Sequence, residues 1–451
     1  MVMQTNLLSR LVNKNIEVAL IAPDGTDKNL YNYCRQNGID LYEFNPKSDF
    51  WTSNYIKSRM YFLENINGNP ALYEKYIYDI RFNTKGNFKS KLRVRLLKLI
   101  HDLKEVFPTI KRRYLKKEEK MLHNDKAVSL IKEINPDLVV STYPVSFSES
   151  QLIVAAKKQN AKTIMHILSW DNISCKGRFP TLADEYITWG PIMSAELKEY
   201  YNVEEKHIHE CGVPHFDLHR EHVVAPDYLK YLAEFGLDSE KPYLFFGMSS
   251  PRFAPYEIDI VEWLSKKIDS NAFGKDMQLI VRPHPQNVQG HMADPSWLPR
   301  LRSLSSARTG VDFPKLVESK MPWSMQEKDM VRLSQLLVGA IVSLNSGSTL
   351  SIDSLMCDTP VVLTSFDGDR EIEYWKSSSR LADYVHLKKL ISFGGIPVAR
   401  SYSDLQAILV KYVSNKSYLK KERVSTLLNQ CANLSRATYT AANELAKQLK
   451  K

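Results

Sequence analysis

The chain has 451 residues, 43% of them hydrophobic and 25% charged, with a formal net charge of +10. That is ordinary globular composition, which excludes disordered, collagen-like and fibrous classes, and at roughly 100–200 residues per domain the length suggests two or three domains. Five scattered cysteines (Cys34, Cys175, Cys211, Cys357, Cys431) argue against a disulfide framework and for a reducing cytoplasm, while the positive balance suits an acidic partner: nucleotide phosphate, nucleic acid or an anionic membrane surface.

The N-terminal twenty residues lack the long apolar core of a secretory signal, and no stretch reaches the roughly 18 apolar residues of a membrane span. The chain opens in a helical pattern, where an α/β fold would place a strand first. Either the fold begins unusually or a first strand is absent. Short apolar runs then recur at 16–23, 136–144, 161–170, 185–191 and 207–214, and again at 241–250, 277–285, 339–348 and 359–366. Continuous β-branched runs alternating with helical patterns predict parallel strands in two α/β layers. The polar helical stretch 215–240 between the two sets reads as a hinge. The organisation expected is an N-terminal Rossmann-like domain over 1–220, a second over 221–415 and a C-terminal helical segment over 416–451.

Residues 85–126 carry the strongest charge feature, with Lys89, Lys91, Arg93, Arg95, Lys98, Lys111, Arg112, Arg113, Lys116 and Lys117 among them. Leu92, Leu96, Leu97, Ile100 and Leu103 repeat beside them at helical spacing. A basic amphipathic helix reads as a membrane-surface element; the plainer reading is a solvated face over an apolar stripe that covers a core. No zinc-finger, RNP or helix-turn-helix signature accompanies it, which weighs against nucleic acid.

Five places could carry chemistry. Ser169-Trp170-Asp171-Asn172 ends an apolar run and is followed by Lys176. Trp170, Asn172 and Lys176 could line an acceptor pocket, with Asp171 as general base; an Asx turn with a core Trp is the alternative. Arg282-Pro283-His284-Pro285 ends another run, where Arg282 offers a planar fork for phosphate and His284 a donor or an acid–base group. Ser346, Gly347, Ser348 and Thr349 lead from a strand into a helix carrying Asp353, a pattern that suits an anion at free amides and hydroxyls or simple N-capping. Asp367-Gly368-Asp369 could hold a divalent ion but reads better as a turn. His207, His209 and Cys211 alternate along one strand, yet their spacing fits no standard zinc pattern. A GxSxG elbow, a P-loop and a GxGxxG fingerprint are all missing from the sequence.

Taken in order, these stretches resemble the GT-B superfamily of nucleotide-sugar transferases, and more narrowly bacterial surface-carbohydrate enzymes related to CDP-glycerol glycerophosphotransferases. The resemblance runs over about 10–415 and is carried by Ser169–Asn172 with Lys176, by Thr188-Trp189-Gly190-Pro191, by Gly212-Val213-Pro214 with Phe216-Asp217, by Arg282–Pro285 and by Ser346–Asp353. It implies two Rossmann-like domains facing across a cleft, with C-terminal helices packing back. The nucleotide-activated donor would lie on the C-terminal domain at Arg282, His284 and Ser346–Thr349, the acceptor on the N-terminal one. It also implies no bound metal or other cofactor, a carbohydrate or lipid-linked acceptor, and a cytoplasmic protein held peripherally on the membrane. The activity it implies is glycosyl transfer to a surface polysaccharide or glycolipid. A polyol-phosphate transferase, a sugar-nucleotide epimerase and a non-catalytic nucleotide-binding partner remain open beside it.

Overall fold

The structure, a computed structural model, describes residues 5–63, 68–83, 86–288, 294–315 and 327–449; Lys85, at the head of the basic stretch, and the last two residues of the tail lie outside them. The chain forms two compact units, residues 1–215 with 430–451, and residues 216–429. This corrects two expectations. The stretch read as a hinge belongs to the second unit, because Leu232 of the helix Leu229–Glu234 is buried with Tyr243, Leu333, Leu336 and Leu337. The tail is not a separate segment either. Helix Lys420–Gln430 lies almost wholly in the second unit, which runs to Asn429. Helix Ala437–Leu449 returns to the first, where Ala441, Ala442 and Leu445 pack with Leu7 and Leu11. Two glycines admit the returning chain: a Cβ at Gly190 would lie 2.9 Å from the Gln430 carbonyl, and one at Gly212 2.2 Å from that of Ala432.

The second unit holds one parallel sheet of six strands: β7 (Tyr243–Gly247), β8 (Gln278–Arg282), β9 (Thr309–Val311), β10 (Val342–Asn345), β11 (Val361–Thr364) and β12 (Val398–Ala399). Their order is β12-β11-β10-β7-β8-β9. Every residue of β7, β8, β10 and β11 is buried, as the unbroken apolar runs require of strands covered on both faces.

The first unit holds β1 (Ala19–Ala22), β2 (Asp40–Glu43), β3 (Leu138–Ser141), β4 (Lys162–His166), β5 (Glu185–Thr188) and β6 (Ile208–Glu210). Here β2-β1 form one parallel pair and β3-β4-β5-β6 a separate sheet. Val18 beside β1 packs on the same apolar cluster as Leu138 and Val140 of β3, and Ile21 on the same cluster as Val139. The two sheets therefore share their covering layers, yet a cavity of about 620 Å³ lined by Val18–Ile21 and Leu138–Thr142 separates β1 from β3. That slot explains why Leu20, Ile21, Leu138, Val139 and Val140 are only half-buried while Ile164, Met165 and Ile187 in the interior strands are fully buried. Slot-facing amides of β1 and β3 have no strand to pair with. Their hydrogen exchange is expected to run at least about tenfold faster than that of β4 amides; equal protection would mean that the slot is closed.

Candidate active site

Parallel strands place all their carboxyl ends on one edge, where open α/β sheets take ligands. In the second unit that edge is pinned by one residue. Helix Glu257–Asp269 follows β7, and Glu257 at its start is buried. One carboxylate oxygen accepts the Ser249 N–H at 2.6 Å beyond β7; the other accepts the Ser346 hydroxyl at 2.5 Å beyond β10. Ser346 Oγ lies 3.0 Å from the Thr364 hydroxyl at the end of β11, and the Asn287 amide, beyond β8, donates to the Ser249 carbonyl at 3.0 Å. Four strand ends are thus tied through Glu257. Burial pushes its carboxyl up to about 7, against the pull of these hydrogen bonds.

His284 follows β8. Its Nδ1 accepts the Gln286 N–H at 3.1 Å, which leaves the proton on Nε2. Burial lowers its pKa to about 4, so the imidazole is neutral at pH 7 and offers an Nε2–H. Around the same edge, Ser250 Oγ, Gln286 Oε1 and Asn287 Oδ1 are buried with no hydrogen-bond partner. Buried polar atoms left open in this way cost free energy unless something else satisfies them.

The loop after β10 is tighter than the sequence suggested. Asn345 Oδ1 accepts from the N–H of Gly347 at 2.8 Å, the N–H of Ser348 at 2.9 Å and the Ser351 hydroxyl at 3.1 Å. Two amides expected to cradle a phosphate are already used. The Ser348 hydroxyl accepts the Leu350 N–H at 3.3 Å and keeps its proton to donate to a ligand, and Thr349 is exposed. Gly347 sits at φ 108°, and a Cβ there would lie 2.9 Å from Leu387, so any other residue would strain the loop.

Three residues read as donor ligands are occupied elsewhere. The Arg282 guanidinium is buried and donates to Asp312 and Asp329, so its fork is filled by two carboxylates rather than held open for phosphate. Ser346 is spent on Glu257 and Thr364. Asp353 is paired at 2.8 Å with His219 Nε2, both of them buried. Asp367 accepts from the Ser377 hydroxyl and the Ser378 N–H, which makes Asp367-Gly368-Asp369 a turn. The histidines have separate partners or share a carboxylate: Glu185 faces His207 at 3.5 Å and His209 at 2.8 Å, His209 also meets Glu444 at 3.3 Å, and His222 Nδ1 is 2.8 Å from the Ser334 hydroxyl. Among the described residues no group of three His, Cys, Asp or Glu side chains is arranged to hold a metal ion.

In the first unit the carboxyl ends of β3 and β4 form a second cluster. Asp171 accepts the Ser169 hydroxyl at 2.7 Å and lies 2.9 Å from the Lys176 ammonium. The Asp171 carboxylate raises the Lys176 pKa. Burial raises that of Tyr143 beyond β3, and both Lys176 and Asp171 act on it, so the three groups are neighbours. Trp170 is buried, in keeping with the core reading. Asn172 is buried with both side-chain amide atoms open. Sequence reasoning missed Glu149, which accepts the Ser141 hydroxyl at 2.7 Å and the N–H groups of Thr142 and Tyr143 at 2.9 and 3.0 Å. Its signal was the spacing Ser146-x-x-Glu149 at a helix start: the Ser146 side chain caps the helix by accepting the Glu149 N–H at 3.2 Å, while the Glu149 carboxylate turns to the loop after β3.

No protein-family model matches the chain, and no curated protein does. Solved structures do. UDP-GlcNAc 2-epimerase from Neisseria meningitidis bound to UDP-GlcNAc superposes with a TM-score of 0.53 at 10% identity, over 99% of this chain and 96% of that one. The S. aureus MnaA–UDP co-structure gives 0.51 at 11%, over 99% and 94%, and a glycosyltransferase from Rickettsia africae gives 0.50 at 12%, over 99% and 94%. At such identities the likeness is one of fold. The chain has the GT-B fold, with two Rossmann-like units and a C-terminal helix that rejoins the first.

Proposed function

We propose that this protein is a glycosyltransferase that moves a sugar from a nucleotide-activated donor to a surface polysaccharide or glycolipid acceptor. The observation that carries the reading is the pinned carboxyl edge of the second unit, where the neutral His284 Nε2–H shares the edge with the buried Ser250 hydroxyl and the Gln286 and Asn287 side-chain oxygens, which have no hydrogen-bond partner. A fixed neutral donor in a partly dry site stabilises charge that develops on a leaving phosphate, without needing a bound metal. The Ser348 and Thr349 hydroxyls would add donors to the same phosphates. The nucleotide-ligand names of two matching structures point the same way.

Asp171, with Lys176 beside it, would deprotonate the acceptor hydroxyl, and Trp170 and Asn172 would shape that side. Asp171→Asn is expected to lower turnover by roughly 10²–10⁴-fold while nucleotide affinity stays unchanged; unaltered turnover would place the base elsewhere. Among the described residues no helix is long and apolar enough to cross a membrane. In this reading the protein meets a lipid-linked acceptor at the cytoplasmic membrane surface. The test is product analysis with radiolabelled nucleotide sugars, with and without a membrane-lipid extract. A new glycosidic link that requires the extract supports the proposal. Conversion of the donor with no acceptor present would make the protein an epimerase, a phosphodiester product a polyol-phosphate transferase, and binding without turnover a non-catalytic partner.

A further inference from the structure

We propose that a pocket between three helices of the first unit receives a hydrocarbon chain of an anionic membrane lipid. The helices are Phe50–Tyr61, Phe88–Val106 and Pro108–Leu122. The second and third are the basic stretch, broken at Phe107 because Pro108 cannot continue a helix from the turn before it.

The apolar spacing of Phe88–Val106 suggests that its leucines cover a core. They do not. The residues this helix buries are Leu97, His101 and Lys104, while Leu92, Leu96 and Leu99 are 44%, 51% and 53% exposed. Phe50, Trp51 and Phe88 beside them are more exposed still. An apolar surface of this kind on a charged helix pair marks an interaction site.

The surface contains a pocket of about 390 Å³ walled by Trp51, Tyr55, Leu92, Leu96, Leu97 and Ile100, within the roughly 300–1,000 Å³ of small-molecule sites. Lys89, Arg93 and Lys117 stand in its lining, which includes no carboxylate. Two of these cations are pre-placed. Arg93 donates to Asn54 with its guanidinium 5.5 Å from the Phe50 ring centroid, and the Lys117 ammonium is 4.6 Å from that of Trp51.

Apolar walls lined with three cations and no carboxylate are complementary to a molecule that is apolar in its body and anionic at its head. A polynucleotide would satisfy the rim and leave the walls wet. A lipid satisfies both, with Trp51 and Phe50 at the headgroup level where amphipathic aromatic rings settle. The inference narrows the acceptor of the proposed reaction to lipid-borne ones and in that respect rests on that reading; capture of the chain does not.

The experiment uses the full chain with vesicles of phosphatidylglycerol and phosphatidylcholine whose acyl chains carry bromine, a contact quencher of tryptophan. The quenched signal is the difference between wild type and Trp51→Phe. The expected result is quenching of Trp51 by chain-brominated phosphatidylglycerol. The double variant Leu92→Glu with Leu96→Glu, which changes exposed positions only, should lose it and bind vesicles at least about tenfold more weakly, as basic surface charge alone would remain. Co-sedimentation with vesicles without Trp51 quenching would overturn chain capture and leave electrostatic adsorption. Failure to sediment at all would overturn both. Nucleotide binding by the double variant should equal that of wild type. Lipid quenching without sugar transfer to any acceptor would sink the proposed function alone, and transfer to a water-soluble acceptor without quenching would sink this inference alone.

Discussion

His284→Ala is expected to weaken nucleotide binding by about 10–100-fold, the equivalent of one charge-assisted hydrogen bond of roughly 1.5–3 kcal/mol. Turnover should fall further, by about 10²–10³-fold, because the Nε2–H is worth most when charge develops on the leaving phosphate. The fold should survive, since the side chain accepts a single local hydrogen bond, from Gln286. With the imidazole pKa near 4, nucleotide affinity should show no titration around the ordinary histidine value of about 6.5. The same shift makes a stability statement. A histidine whose folded pKa is depressed binds fewer protons folded than unfolded between about 4 and about 6.5, so stability falls as pH drops through that window. Buried His166, also held near 4 by desolvation, acts in the same direction. His284→Gln should therefore remove part of this acid loss and leave the share of His166, as urea denaturation at pH 7 and pH 4.5 would read. An unchanged acid loss would contradict the burial assigned to His284.

Glu257→Ala carries the largest expected structural effect. It strands the Ser249 N–H and the Ser346 hydroxyl and opens a void where four strand ends meet, which should cost roughly 2–4 kcal/mol. Nucleotide affinity should fall with it, because the loops bearing His284 and Ser348 lose their common anchor. Glu257→Gln keeps an acceptor for Ser249 and should be milder. Its pH dependence has the opposite sign to that of His284. A carboxyl raised from its ordinary value of 4.5 to about 7 contributes stability that is fully present below 4.5 and lost as pH rises through 7. Relative to wild type, Glu257→Gln should therefore look worse at pH 5 than at pH 8. A difference that is flat across this range would mean that the carboxyl is not buried as described.

Much of the fold was legible because its signal is local. Nine continuous apolar runs each contain a strand, from β1 to β11. The three strands missed are those with least to read: β2 carries Asp40 and Glu43 at its exposed ends, β9 has three residues and β12 two. The site was legible in position and less so in role. Arg282, Ser346 and Asp353 lie near strand ends as the motifs suggested, but their partners Asp312, Asp329, Glu257 and His219 come from distant parts of the chain, and no spacing announces them. Glu257 itself reads as an ordinary acidic residue at a helix start. The stripe Leu92, Leu96, Leu97, Ile100 and Leu103 shows the converse limit: its period gives a helix, but only Leu97 of the five is buried, because which face the helix buries is decided by its neighbours.

The central claim is that a nucleotide sits at the carboxyl edge of the second unit. Hydrogen exchange of the full chain, alone and with UDP, CDP, GDP, CMP or dTDP, tests it most directly, since a ligand slows opening where it binds. The account predicts that one of these nucleotides slows exchange at 247–253, 284–288 and 346–350 together, and that His284→Ala abolishes the change. No protection with any of the five, or protection confined to the first unit, would contradict it.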